Sequence, residues 1–301
     1  MIYMKMTYVP RVQGNMKGLK TIYTTRATSR IIDGSYNSIY KGRSMNFDEL
    51  REYVAGDDIK DVDWKATSRS QKVLVRQYIA EKKHNIMLVL DTNRRMLANA
   101  NETQDKKDVA LMAAGTLACM VSVNGDYISA TYSDKTAIQH FPFKTGLINV
   151  ENILAAYDRD TVMDNDSDLE AALEFISKNI RRKMILLIVT DMEGMNDISD
   201  RLLKQLKAVH DILLICVDDV DINGKKVYDI AARRYLPDFI MEDRKIARNE
   251  KLRRQKITEK CAEKMKSVGM TYQIIDSSDD MDEKIVELLN RHRQESTAVY
   301  R

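Results

Sequence analysis

The chain has 301 residues, of which 44% are hydrophobic and 31% charged; its 48 Lys and Arg against 45 Asp and Glu leave a formal net charge of +3. That length and apolar content suffice for one large α/β domain with a full core plus an appended module, and the balanced charge gives no global case for nucleic-acid binding. No stretch approaches the ~20 apolar residues of a membrane span, and MIYMKMTYVPRVQGNMKGLK at the N-terminus lacks the apolar core of a signal peptide.

Residues 1 to about 46 are weakly patterned and read as an extended arm or short hairpin module. A dense block of paired charges follows, FDELREYVAGDDIKDVDWKATSRSQKVLVR from Phe47 to Arg76, holding the single tryptophan, Trp64. Its end, Lys72 to Ile79, is rich in β-branched residues and predicts a strand. Ile86 to Leu90 is a short continuous apolar run, as in a central parallel strand buried on both faces, and it ends in Asp91. Asp105 to Val123 predicts a helix with an apolar face (Val109, Leu111, Met112, Leu117, Met120). Asp126 to Tyr132 reads as a strand and Ala137 to Phe141 as its hairpin partner. Val150 to Tyr157 and Leu169 to Ile180 are helical. Met184 to Thr190 is a second buried strand, ending in Asp191. Ser199 to Val209 predicts a helix, Ile212 to Val217 a third core strand, and Asp219 to Met241, with LPDF at its end, an irregular segment. A long charged helix (Asp243 to Val268), a strand (Thr271 to Ile275) and a helix (Met281 to Arg293) complete the chain.

Strands alternating with helices over this length predict a doubly wound, mostly parallel α/β sheet over residues 81–301, preceded by a small β-rich module over 1–80. Ligands of such sheets bind beyond the carboxyl ends of the strands, where Asp91 and Asp191 lie. With Asn93 and Ser167 they form a candidate oxygen-ligand set for Mg²⁺ or Mn²⁺. The bland alternative is that the two acids cap loops or helices and that Ser167 is the N-cap of the helix beginning near Leu169.

Catalytic signatures are absent. There is no GxxxxGK[ST] or GxGxxG, hence no nucleotide site, and no HExxH or GxSxG. His84, His140, His210 and His292 are scattered, and His84 reads as a surface or edge residue. A haloacid-dehalogenase-type phosphatase would need a second Asp two residues after the strand-end acid, where this chain has DTN. Cys119, Cys216 and Cys261 have no CxxC spacing and read as buried, reduced thiols of a cytoplasmic protein. Arg244, Lys245, Arg248, Lys251, Arg253, Arg254 and Lys256 cluster on the long helix; diluted by acids and without interleaved aromatics, they read as a solvated face, with partner docking next.

The charged block resembles the hallmark of the DUF58 family: an aromatic, R-x-Y-x-x-G-D-D, then I/V-D-W-K-x-S/T-A/S-R. Here these are Phe47, Arg51, Tyr53, Gly56, Asp57, Asp58, Val62, Asp63, Trp64, Lys65 and Arg69, supported by Arg76, by NGD at Asn124 to Asp126 and by the SDL element at Ser167. From Ile86 onward the order of elements looks like the von Willebrand factor A fold. The resemblance implies a metal-ion-dependent adhesion site of the form D-x-S-x-S, a later Thr and a later Asp. Carried over, these are Asp91, Asn93, Arg95, Ser167 and Asp191. Arg95 is donor-only and always charged. Pointing inward it would replace the metal and pair with Asp91 or Asp191; pointing outward it would leave a weakened metal site.

The block itself has two compatible readings: a lattice of ion pairs (Arg51, Asp57, Asp58, Asp63, Arg69, Arg76) fixing the N-terminal module to the A-like domain with Trp64 as apolar anchor, or a docking surface. The resemblance further implies a non-enzymatic adaptor for a MoxR-type AAA+ ATPase or its client, with Asp91, Arg95 and Asp191 at the binding edge. The rivals are a divalent-metal-dependent hydrolase built on the same acids and a scaffold with no ligand there.

Overall fold

The computed structural model describes residues 6–16, 45–80, 83–218, 228–229, 234–235 and 244–298. Most of the irregular segment expected over Asp219 to Met241, and residues 17–44 of the expected arm, lie outside them. The chain divides into two units, one of Met1–Tyr36 with His84–Arg301 and the other of Asn37–Lys83.

The larger unit is built on a six-stranded sheet. Its strands are β3 (Asn85–Leu90), β4 (Tyr127–Ser133), β5 (Ile138–Lys144), β6 (Ile185–Asp191), β7 (Asp211–Val217) and β10 (Thr271–Ile275); a short pair, β8 (Tyr228–Asp229) and β9 (Arg234–Tyr235), lies apart from it. The spatial order is β10-β7-β6-β3-β4-β5, all parallel except β5, which runs antiparallel to β4 at one edge. Every residue of β3 and β6 is buried. Alternation sends Ile86, Leu88 and Leu90, with Ile185, Leu187 and Val189, into one apolar layer, and Met87 and Val89, with Leu186 and Ile188, into the other. Burial on both faces is why these strands read as unbroken apolar runs.

The first layer is covered by α1 (Tyr8–Asn15), α3 (Lys106–Val123), α4 (Leu147–Asp160) and α9 (Met281–Ala298). The second is covered by α5 (Leu169–Asn179), α6 (Met192–Asp197), α7 (Asp200–Val209) and α8 (Arg244–Val268). Helix α3 is buried nearly all round rather than on one stripe, because α1 closes its outer side. Gly115 permits this close approach: a Cβ there would stand 2.6 Å from Val12 Cγ2. The buried Glu151 of α4 accepts from the backbone N–H groups of Thr7, Tyr8 and Val9, supplying the cap that the sequence around α1 lacks. The first residues, expected with the N-terminal module, thus include a helix that belongs with the sheet.

Helix α8 packs through its C-terminal turns, while Arg248, Arg253 and Lys256 of the basic cluster are exposed as expected. Cys261, Met265 and Val268 are buried, Cys261 Sγ donates to the Met192 carbonyl at 3.2 Å, and Lys264 Nζ donates to the carbonyls of Met195 and Asn196, both at 3.1 Å. All three cysteines are buried and free. His84 is buried, not at the surface; Asp126 Oδ1 accepts from its backbone N–H at 2.8 Å and lies 3.3 Å from Nδ1. No helix among the described residues is long and apolar enough to cross a membrane.

In the smaller unit β1 (Met45–Glu52) and β2 (Leu74–Ala80) form an antiparallel hairpin, with a 3₁₀ turn (Ile59–Asp61) and α2 (Trp64–Ser70) in its connection. The sequence reading predicts only β2 of these. The charged signature is turn and cap chemistry. Arg51 grips Asp57 with two bonds of 2.7 and 2.6 Å, closing a turn in which Gly56 takes φ +111°, open only to glycine. Asp58 caps the 3₁₀ turn through Lys60 N. Asp63 caps α2 through Lys65 N and Ala66 N and pairs with Arg76 Nε at 2.9 Å. Tyr53 N–H joins Val73 O across the hairpin, and Arg69 sits in the last turn of α2. Arg51–Asp57 and Asp63–Arg76 each join two residues of the hairpin unit. Trp64 is 64% exposed, so it is not the apolar anchor expected of it; Val62 and Val75 are the buried pair.

Candidate functional site

Strands β3 and β6 are neighbours, and the chain leaves β3 into α3 on one face of the sheet and β6 into α6 on the other. The carboxyl ends of β3 and β6 therefore flank the crevice at the topological switch point. Strand parity decides where each acid points. Asp91 continues the face of Met87 and Val89, the face that Thr190 shares with Ile188, and Thr190 Oγ1 donates to Asp91 Oδ2 at 2.7 Å. Asp191 continues the face of Ile185, Leu187 and Val189, against which α3 packs. There the first residue of α3, Lys106, donates from Nζ to Asp191 Oδ2 at 2.8 Å.

Asp91, Asp191 and Lys106 are each at most 2% exposed. The other oxygens also carry protein donors: Asp91 Oδ1 accepts from Asn93 N at 2.9 Å and Asp191 Oδ1 from Gly194 N at 2.7 Å. Asn93 caps a 3₁₀ turn (Arg94–Leu97) by accepting from Arg95 N, and its Nδ2 donates to the Ser167 carbonyl at 2.9 Å. Ser167 is not the cap of α5, a task Asp168 performs through Glu170 N. Its Oγ instead lies 2.9 Å from Thr92 Oγ1, which also bonds the Ser133 carbonyl. All four expected ligand residues thus converge on one crevice.

Arg95 points inward, its side chain 30% exposed at the mouth. Its guanidinium is shared by three acids at longer range: Asp197 Oδ2 at 3.4 Å, Asp191 Oδ1 at 3.7 Å and Asp91 Oδ2 at 3.8 Å. Arg95 Nε is buried with no hydrogen-bond partner among the described residues. Gly194 allows this crowding, since a Cβ there would stand 2.1 Å from Thr190 Oγ1 and 2.7 Å from Asp91 Oδ2.

The two carboxyls respond oppositely to this setting. Burial, then repulsion from Asp191, pushes Asp91 up to about 6 against the bonds from Thr190 and Asn93. Burial opposes the charge of Asp191 too, but Lys106 and then Arg95 outweigh it, so its carboxyl lies below the usual carboxylate range.

As arranged, these residues do not fit a divalent ion. Each candidate ligand oxygen already has a hydrogen-bond partner, and two cations stand at the acids. Two like unit charges ~4 Å apart at an effective dielectric of ~20 repel by ~4 kcal/mol, and a divalent ion doubles that. Among the described residues no three His, Cys, Asp or Glu are grouped to hold a metal.

Lys106, Thr190, Thr92 and Gly194 were not anticipated from sequence. One signal does mark Lys106. Lysines at the first turn of a helix oppose its dipole, so Lys106 and Lys107 each call for an acid; Lys107 has Asp158 at 2.8 Å.

Comparison with known proteins gives the following. The family model "Protein of unknown function DUF58" matches residues 49–225, more than half of the chain. An uncharacterised protein of Mycobacterium bovis is 27% identical over 203 residues, 66% of this chain; the match spans 63% of that relative's length, less than two thirds. Among solved structures, the conserved hypothetical protein BatB from Bacteroides thetaiotaomicron is similar over 70% of this chain and 99% of its own, at 12% identity and TM-score 0.46. A von Willebrand factor type A protein from Catenulispora acidiphila is similar over 74% of this chain and 45% of its own, at 11% identity and TM-score 0.40.

Proposed function

The chain belongs to the DUF58 family, and from that premise we propose that it is a non-catalytic interaction protein whose partner docks at the carboxyl edge of β3 and β6. The observation that carries this reading is Arg95. Its side chain reaches the mouth, no carboxylate among the described residues holds it more closely than 3.4 Å, and its Nε–H has no hydrogen-bond partner among them. A charge-assisted bond to an acidic group of a partner would complete it.

The α/β sheet of von Willebrand A type is generally a binding fold, and the site's chemistry supports that use. A hydrolase built on the same acids needs a nucleophile or base there. The Thr92 and Ser167 hydroxyls bond each other, and both carboxylates carry protein donors. The partner class follows from the family resemblance: a MoxR-type AAA+ ATPase, its client, or both, with the ATPase supplying the energy. A cytoplasmic setting accords with three buried free thiols.

The test is capture of a MoxR-type AAA+ ATPase from the same organism, comparing wild type with Arg95→Ser. The expected result is a loss of at least about tenfold in affinity, ~1.4 kcal/mol. Equal capture by both proteins would reject docking at this edge.

A further inference from the structure

We propose that Lys106 is a built-in cation: its ammonium holds the Asp191 oxygen that the fold's divalent ion would need, and with Arg95 it makes the strand-edge site complete without a metal. The inference concerns the chain's own charges, so it goes beyond the docking reading and does not depend on it.

Charge count is the first argument. Asp91 and Asp191 are buried side by side on adjacent parallel strands, and two buried carboxylates demand two positive charges nearby. Lys106 and Arg95 supply both, and these four groups sum to zero; Asp197, which also shares Arg95, lies at the exposed rim. A divalent ion added to them would leave an excess of two positive charges in a water-poor crevice.

Placement is the second argument. An ammonium buried at the N-terminal end of α3 is opposed both by desolvation and by the helix dipole. The 2.8 Å bond to Asp191 offsets these costs and ties the lysine to that carboxylate. Helix placement makes the commitment rigid. Asp105 caps α3 by accepting from Asp108 N, and Lys106 N–H bonds the Ala98 carbonyl at 2.8 Å. Asp191 is held equally firmly, being the last residue of β6 and the cap of α6 through Gly194 N. A metal would enter only by displacing the ammonium from an oxygen it already holds.

The test uses Mn²⁺ and the full chain, with no partner, so its failure is distinct from failure of the docking reading. Binding is read from loss of the free Mn²⁺ electron-paramagnetic signal and from thermal unfolding. Wild type is expected to show no saturable binding up to about 10 mM, above the ~1 mM of weak oxygen-ligand sites. The Arg95→Ser, Lys106→Ala double variant keeps both carboxylates without their cations. It is expected to bind Mn²⁺ at least about tenfold more tightly than wild type and to melt higher in its presence. Saturable binding by wild type that Asp91→Asn abolishes would overturn the proposal. So would a folded double variant that gains nothing. Should the double variant not fold alone, refolding with Mn²⁺ decides: recovery of a cooperative melting transition supports the proposal, and no recovery overturns it.

Discussion

The hairpin unit and the strand-edge crevice both rest on Asp paired with Arg or Lys, yet the same chemistry does different work in each. In the hairpin the pairs are local, six residues apart for Arg51 and Asp57 and thirteen for Asp63 and Arg76. They sit in water and close turns or cap short helices. In the crevice Lys106 and Asp191 are 85 residues apart, buried, and joined only because α3 packs across β6. A pair in water is stabilised little by its mutual attraction, because solvent serves either charge alone. A buried pair is costly to break because the surviving charge has nowhere to go.

Removing one partner of the buried pair gives the sharpest test of that contrast. Lys106→Ala should destabilise the sheet unit by ~3–5 kcal/mol, read from urea unfolding. Combining Lys106→Met with Asp191→Asn should recover most of the loss, since no buried charge then lacks a partner. If Lys106→Ala is no worse than the hairpin variants below, the contrast between the regions fails.

The pH dependence should come next. Asp91 titrates near 6 when folded and near 3.8 when unfolded, so between those values the folded chain binds more protons. Stability contributed by this group is therefore highest below about pH 4 and falls as pH rises to about 6, by up to ~3 kcal/mol at ~1.4 kcal/mol per unit. Asp191, shifted downward, acts in the opposite sense and loses stability as pH falls through its folded value. Asp91→Asn should flatten the slope between pH 4 and 6 in urea midpoints and stabilise the protein at pH 7. An unchanged slope would show that Asp91 is ionised throughout.

Crowding at Gly194 sets a smaller effect. Gly194→Ala should cost ~1–3 kcal/mol, because its Cβ would push Thr190 off Asp91. It should also weaken capture of the ATPase by moving Arg95. The smallest change should come from the hairpin. Arg51→Ala and Arg76→Ala each remove an exposed pair, and the urea midpoint of the sheet unit should stay at its wild-type value. A large shift there would mean that these pairs also support the sheet unit.

Much of the architecture was legible because central parallel strands are apolar on both faces. Ile86 to Leu90 and Met184 to Thr190 announce themselves by composition alone, and their terminal acids stand out for the same reason. The DUF58 signature was legible as a pattern, although its physical content, turns and caps inside one hairpin, was not. Helix α1 was missed because its cap, Glu151, comes from another helix. Trp64 was misjudged because composition cannot tell whether a large side chain finds a pocket.

By itself the sequence determined the sheet, the two acids at its edge and the family, since each rests on local apolar runs or on spacing within one segment. Only the tertiary structure decided what balances those acids. Strand parity turns Asp191 towards α3 and brings Lys106 to it, and Gly194 makes room for Arg95 to turn inward. Which charges meet in a buried crevice depends on which helix covers which strand, and no spacing along the chain records that.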